Sequence, residues 1–135
     1  MEEPTEPPAC QVRIRGGAAI AEKLSTMARR AVYEYNLAIK GTGYYLKPVH
    51  YVYKRAGGRT RVYEYYGRYW WRLDRGSGRV RWRYVGKTKP PGLPDPPSTG
   101  LEGLRIIRDG DDIIVDCWVI ERFKELFRGA VIERL

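Results

Sequence analysis

The sequence predicts an α+β fold: an antiparallel β-sheet of three long central strands plus a C-terminal hairpin, packed against two helices. Three observations lead there. Residues 44–87 are crowded with β-branched and aromatic side chains and punctuated by glycine-rich turns, a strand pattern. From Ala18 to about Lys40 apolar residues recur every three or four positions, the period of a helix. A proline-rich run, TKPPGLPDPPSTG, then separates the central block from a last hairpin-and-helix unit. The 135 residues suit one domain, read as 10–135, preceded by an acidic tail at 1–9 that has no apolar periodicity and is expected to be disordered.

In chain order, Gln11 to Arg15 alternates as a short strand, and Gly16-Gly17 ends it. Ile20, Leu24, Met27, Ala31, Tyr35 and Ala38 share one face of the first helix, which Gly41-Thr42-Gly43 stops. Three strand-like stretches follow: YYLKPVHYVYKRA, RTRVYEYYGRYWWRLD and RVRWRYVGK. Gly57-Gly58 predicts a two-residue turn that sets Ala56 opposite Arg59 and Val52 opposite Tyr63. RGSG at 75–78 predicts a four-residue loop that pairs Asp74 with Arg79, Leu73 with Val80, Trp71 with Trp82 and Tyr69 with Tyr84. One face is then consistently apolar. The other collects Tyr51, Tyr53, Tyr66, Arg68, Trp70, Arg72, Arg81 and Arg83, unless a slip or a bulge at Gly67 exchanges the faces over part of the sheet. Residues 88–103 read as a stiff linker. Beyond it, Asp109-Gly110 predicts a hairpin turn with Ile106 opposite Ile113. A last helix starts near Trp118 with Val119, Phe123, Leu126 and Phe127 on one side; either Gly129 caps it, leaving AVIERL as a short strand, or it runs on to the end.

The net charge of +9 is unevenly spread. Residues 44–89 carry 13 basic groups against 2 acidic ones, a local +11, whereas 1–43 carry +1 and 90–135 carry −3. The same central third holds 12 of the 17 Tyr, Trp and Phe residues, so phosphate-binding and base-stacking side chains are concentrated together. No apolar run is long enough to cross a bilayer, and the N-terminus is acidic and proline-rich where a signal peptide would be basic and then apolar. A cytoplasmic protein with no membrane partner is the expectation. Asn36 and Gln11 are the only side-chain amides and Arg outnumbers Lys, a composition that points to a thermophile. Cys10 and Cys117 read first as two unpaired small hydrophobes, with a single bridge as the alternative in a hyperthermophile.

Single-stranded DNA or RNA is the partner this composition favours, with Tyr51, Tyr53, Tyr66 and Trp70 stacking on bases and Arg68, Arg72, Arg81 and Arg83 meeting phosphate or lying over rings. Duplex readout has less support, because helix-turn-helix, zinc-finger, basic-zipper and RNA-recognition-motif patterns are all missing. The runner-up is a metal-dependent nuclease using Asp109, Asp111, Asp112 and Asp116, in which Asp112 and Asp116 share strand parity. Against it, Asp109 is explained by the turn and Asp116 by the helix start. A third reading is an interaction subunit of an archaeal or viral assembly, since Tyr, Trp and Arg are also enriched at protein interfaces. His50, the only histidine, lacks the partners of a catalytic triad, and GGAAIAEK lacks the Gly-Lys-Ser/Thr ending of a P-loop. The sequence therefore implies no cofactor, no small-molecule substrate and no catalysis. The oligomeric state is left open, a homodimer included.

The tract YEYYGRYWWRLDRGSGRVRWRYVGK, residues 63–87, resembles a Tyr/Arg-rich hairpin found in small basic archaeal and mobile-element-associated proteins. In overall character the chain is similar to the ThermoDBP group of crenarchaeal single-stranded DNA-binding proteins. The resemblance implies nucleic-acid binding and assigns no residue.

Overall fold

Alternating β-branched, aromatic and charged residues build two antiparallel sheets, with helices on one side, in a computed structural model that describes residues 10–76 and 78–135. The predicted acidic tail lies outside the described residues. Strands β1 (Gln11–Ile14), β3 (Val49–Ala56), β4 (Arg59–Tyr66), β7 (Arg105–Asp109), β8 (Asp112–Asp116) and β9 (Ile132–Arg134) form a six-stranded sheet in the order β3-β4-β7-β8-β1-β9. Strands β2 (Tyr44–Leu46), β5 (Trp70–Gly76) and β6 (Arg79–Gly86) form a three-stranded sheet in the order β2-β5-β6. The long helix α1 spans Ala18–Ala38; α2 spans Cys117–Arg122 and a 3₁₀ turn follows at Lys124–Phe127. The α+β prediction holds, but the three central stretches are five strands divided between two sheets.

Pro48 and Gly67 cause the division. Val49 pairs with Tyr66 in the large sheet and Leu46 with Trp70 in the small one, so three steps on one strand face four on the other. Gly67 takes up the extra residue at φ +56°, donating its N–H to the Pro48 carbonyl. The bend is the irregularity that the glycine foreshadowed.

Turn chemistry set the registers with one type of error. The Gly57-Gly58 hairpin forms as expected, both glycines at positive φ, with Ala56 opposite Arg59 and Val52 opposite Tyr63. In the β5–β6 hairpin Gly76 pairs with Arg79, so Leu73 meets Trp82 and Trp71 meets Tyr84, a slip of two from the predicted pairing. The β7–β8 turn is Gly110-Asp111 rather than Asp109-Gly110, and Asp109 pairs with Asp112. In one case β5 runs two residues further before pairing with Arg79, and in the other the turn moved by one residue. Because side chains alternate with a period of two, each two-residue slip kept the predicted faces together.

Helix α1 lies over both sheets. Its buried stripe is Ala21, Leu24, Ser25, Ala28, Val32 and Tyr35, rotated from the predicted one, and Met27 is exposed. Small residues at the contact let the helix sit close to the sheet. Leu24 and Ala28 pack in a core with Ile14, Ile106, Ile113, Val119 and Phe127, while Val32, Tyr35 and Ile39 pack with Leu46, Trp70 and Leu93. The proline-rich segment has no helix or strand, yet Leu93 and Leu101 are buried and the Pro94 carbonyl accepts from the Tyr35 hydroxyl at 2.7 Å. The C-terminal alternative resolves as a strand: Gly129 at φ +80° ends the helical region and β9 pairs with β1. Cys10 and Cys117 are joined by a disulfide, correcting the expectation of unpaired thiols. Antiparallel pairing of Gln11 with Asp116 brings the two neighbouring cysteines together.

Two stability predictions follow from these constraints. Gly67→Ala should destabilise by about 1–2 kcal/mol, from the positive φ alone, with further strain because its Cβ would lie 3.2 Å from Val32 Cγ2; chemical denaturation measures it. Cys10→Ser or Cys117→Ser opens a crosslink with a sequence separation of 107 residues and should cost about 2–5 kcal/mol in the same assay.

Candidate nucleic-acid interface

The eight residues expected to share one binding face are distributed over four environments. Tyr66 and Trp70 are core residues, each 4% exposed, which corrects their assignment as stacking platforms. The side of the sheet they occupy is the one α1 covers. Trp70 meets Tyr35 edge-on at 5.8 Å. The Tyr66 hydroxyl donates to Glu64 Oε1 at 2.6 Å, and Glu64 Oε2 accepts from Arg108 Nε at 3.1 Å. Burial first, and then that bond to Glu64, push the Tyr66 hydroxyl far above its ordinary pKa.

Tyr51 and Tyr53 are exposed on edge strand β3, on the side shared with Val49 and the core. Arg68 lies over the Tyr65 ring at 4.7 Å. Arg72, Arg81 and Arg83 do come together, on one face of the β5–β6 ribbon, where Arg72 is directly opposite Arg83 and Asp74 opposite Arg81. Arg72 also lies over Tyr44 at 5.6 Å.

The stacking surface is the face that the sequence marked as apolar. Tyr45, Trp71, Trp82 and Tyr84 occupy one side of the small sheet, and the bend continues that side onto Tyr69, His50 and Tyr65. Ring centroids lie 5.2 Å apart for Tyr45 and Trp82, 5.4 Å for Trp71 and Tyr84, and 6.1 Å for Tyr69 and Tyr84. The His50 and Tyr69 rings are 4.6 Å apart. Trp82 (54% exposed) and Tyr84 (48%) are the open rings of this belt. Cations border it: Lys47 lies 6.0 Å from the Trp71 ring centroid, Arg68 lies over Tyr65, and Arg75 is opposite Val80 near the hairpin tip. Burial, and then the Lys47 charge, lower the His50 pKa, so the imidazole is neutral at neutral pH and its Nδ1 accepts from Lys47 Nζ at 3.1 Å. Sequence reasoning missed the belt by equating apolar with buried. The signal was present in β6, where Trp82 and Tyr84 alternate with arginines on a strand left without an outer neighbour.

Three of the four carboxylates proposed for a metal are engaged by arginine. Asp109, fully buried, accepts from Arg13 at 3.0 Å and lies 3.4 Å from Arg59 and 3.2 Å from Arg61. Asp112 pairs with Arg13 and Arg15 and accepts the Gly16 backbone N–H at 2.9 Å. Asp116, at the start of α2, pairs with Arg105 at 3.1 Å. Asp111 is exposed in the β7–β8 turn. Among the described residues no three His, Cys, Asp or Glu side chains are grouped to hold a metal. Among the described residues no helix is long and apolar enough to cross a membrane.

The fold and surface define a two-sheet α+β protein with an aromatic belt on one side of a hairpin and an arginine cluster on the other. Comparison with family models, curated proteins and solved structures finds no match.

Burial opposes ionisation of Asp109, but the hydrogen bond from Arg13 and the charges of Arg59 and Arg61 outweigh it and hold its carboxyl below the ordinary 3.8. A depressed native pKa contributes stability above the unfolded value and loses it as pH falls through the native one. Asp109→Asn should cost about 3 kcal/mol at neutral pH, the lower end for breaking a buried pair, because Arg59 and Arg61 lose their anion while Arg13 keeps Asp112. In urea titrations across pH, the wild-type advantage should shrink below about pH 4; an advantage independent of pH would refute this role.

Proposed function

We propose that this protein binds single-stranded DNA or RNA on the belt formed by Tyr45, Trp71, Trp82, Tyr84, Tyr69, His50 and Tyr65. The observation that carries the reading is a belt of two ring groups, Tyr45–Trp82 and Trp71–Tyr84–Tyr69–His50–Tyr65, joined where Tyr45 pairs with Trp71 across the strands, with two rings about half exposed and Lys47, Arg68 and Arg75 at the border. Single strands are held this way, by rings that accept any base and by cations that follow the phosphates. Among the described residues Arg75 has no ion pair or hydrogen bond, which leaves its full charge for a phosphate. The neutral His50 ring adds a flat surface without the solvation cost of a charged one. The reading extends to the cytosol of a thermophile, a setting in which a disulfide such as Cys10–Cys117 persists.

Trp82→Ala combined with Tyr84→Ala tests the site without touching the buried core. Each stacked base contributes about 1–3 kcal/mol, so the double variant, which removes two rings, should bind a labelled oligonucleotide at least about thirty-fold more weakly by fluorescence anisotropy. Wild-type tryptophan emission should be quenched on binding. Trp70→Ala should instead lower stability, since that ring is buried. Wild-type affinity in the Trp82/Tyr84 variant, at unchanged fold, would overturn the assignment. A protein captured on this face after nuclease treatment would favour the interaction-subunit reading.

A further inference from the structure

The β5–β6 ribbon has two chemically distinct exposed faces, and the second is unused by the belt. Along β6, Arg79, Arg81 and Arg83 alternate with Val80, Trp82 and Tyr84, so the guanidinium groups point away from the rings. Arg72 joins them from β5, directly opposite Arg83, and among the described residues of the ribbon Asp74 is the one carboxylate on that face. Like charges placed across a strand pair repel.

Among the described residues in and beside the large sheet most arginines are neutralised, Arg55 and Arg134 excepted. Arg13, Arg15, Arg59, Arg61, Arg105 and Arg108 all pair with carboxylates. In contrast, among the described residues Arg79, Arg81 and Arg83 have no ion pair or hydrogen bond, and all three are exposed. Four cations against one anion, held on a two-stranded ribbon, make a phosphate-binding surface whose ligand is supplied from outside.

We propose that this face binds a second nucleic-acid segment, so that one ribbon bridges two strands. The inference rests on the belt reading above. A base stacked on Trp82 keeps its own phosphates on the ring side of the sheet, and the arginines lie on the opposite side, reached around the β6 edge or the hairpin tip. The arginine face therefore takes a separate segment through its phosphates, without regard to base. The two binding events differ in kind: the belt event depends on stacking, the arginine event on counterion release.

Short oligomers of about six nucleotides, near the lower end of the range for one single-strand site, separate the possibilities. Native mass spectrometry and calorimetry of the full chain should find two oligomers per chain. Trp82→Ala with Tyr84→Ala should remove one event, and Arg81→Ala with Arg83→Ala the other. The arginine event should weaken steeply with salt, by a log–log slope of about 0.7 per phosphate engaged, and the stacking event should weaken less. Donor- and acceptor-labelled oligomers of unrelated sequence should show energy transfer at saturation. One oligomer per chain, lost in both double variants, would overturn the proposal and indicate one strand wrapped around the β6 edge. One oligomer per chain, lost only in the Trp82/Tyr84 variant, would also overturn it and leave the arginines to an acidic protein. No binding at all would instead refute the belt reading on which the proposal stands.

Discussion

The bend that carries one long hairpin from the large sheet into the small one is the constraint on which the rest of the structure depends. Between Leu46 and Val49 the chain takes three steps, and between Tyr66 and Trp70 it takes four. A glycine at positive φ absorbs the difference, opposite a proline that has no N–H to offer the ladder. The bend keeps the inward residues of both sheets on one side. A single 21-residue helix can then bury Leu24 and Ala28 against one sheet and Val32 and Tyr35 against the other. On the far side the same geometry brings Tyr65 and His50 of the large sheet next to Tyr69 and Tyr84, so the aromatic belt follows from the way the core is assembled.

Charge is handled in two ways, and the contrast separates scaffold from surface. In the large sheet, arginines are drawn onto Asp109, Asp112, Asp116 and Glu64, with Asp109 fully buried beneath three guanidiniums. The attraction is strong in such a site because little water screens the buried Asp109 carboxylate. In the small sheet almost no acid is supplied. Among the described residues of the ribbon Asp74 is the one acid beside Arg72, Arg79, Arg81 and Arg83, and all five side chains are exposed. The central charge of +11 therefore resolves into paired arginines that hold strands together and open ones that face solvent.

Local chemistry made much of the fold legible. Gly57-Gly58 specified its turn, the repeat of apolar residues specified α1, and Gly129 with AVIERL offered a last strand as one of two alternatives, the one the structure adopts. The errors share a cause. RGSG and Asp109-Gly110 each permit more than one turn placement, and local sequence cannot weigh these against the packing of the whole sheet. For α1, the buried stripe is set by how closely Ala21, Ser25 and Ala28 allow the helix to approach, which an apolar count overlooks.

The sequence by itself determined the fold class, most element positions and which residues share a strand face, because the periods of helix and strand are written into side-chain order. It also concentrated charge and rings in one segment. Tertiary structure alone decided which face is buried. Tyr66 and Trp70 look like Trp82 and Tyr84 in sequence, but α1 covers the first pair and nothing among the described residues covers the second pair to the same extent. Alternation says that two side chains point the same way; only the packing of distant elements says whether that direction leads into the core or into water.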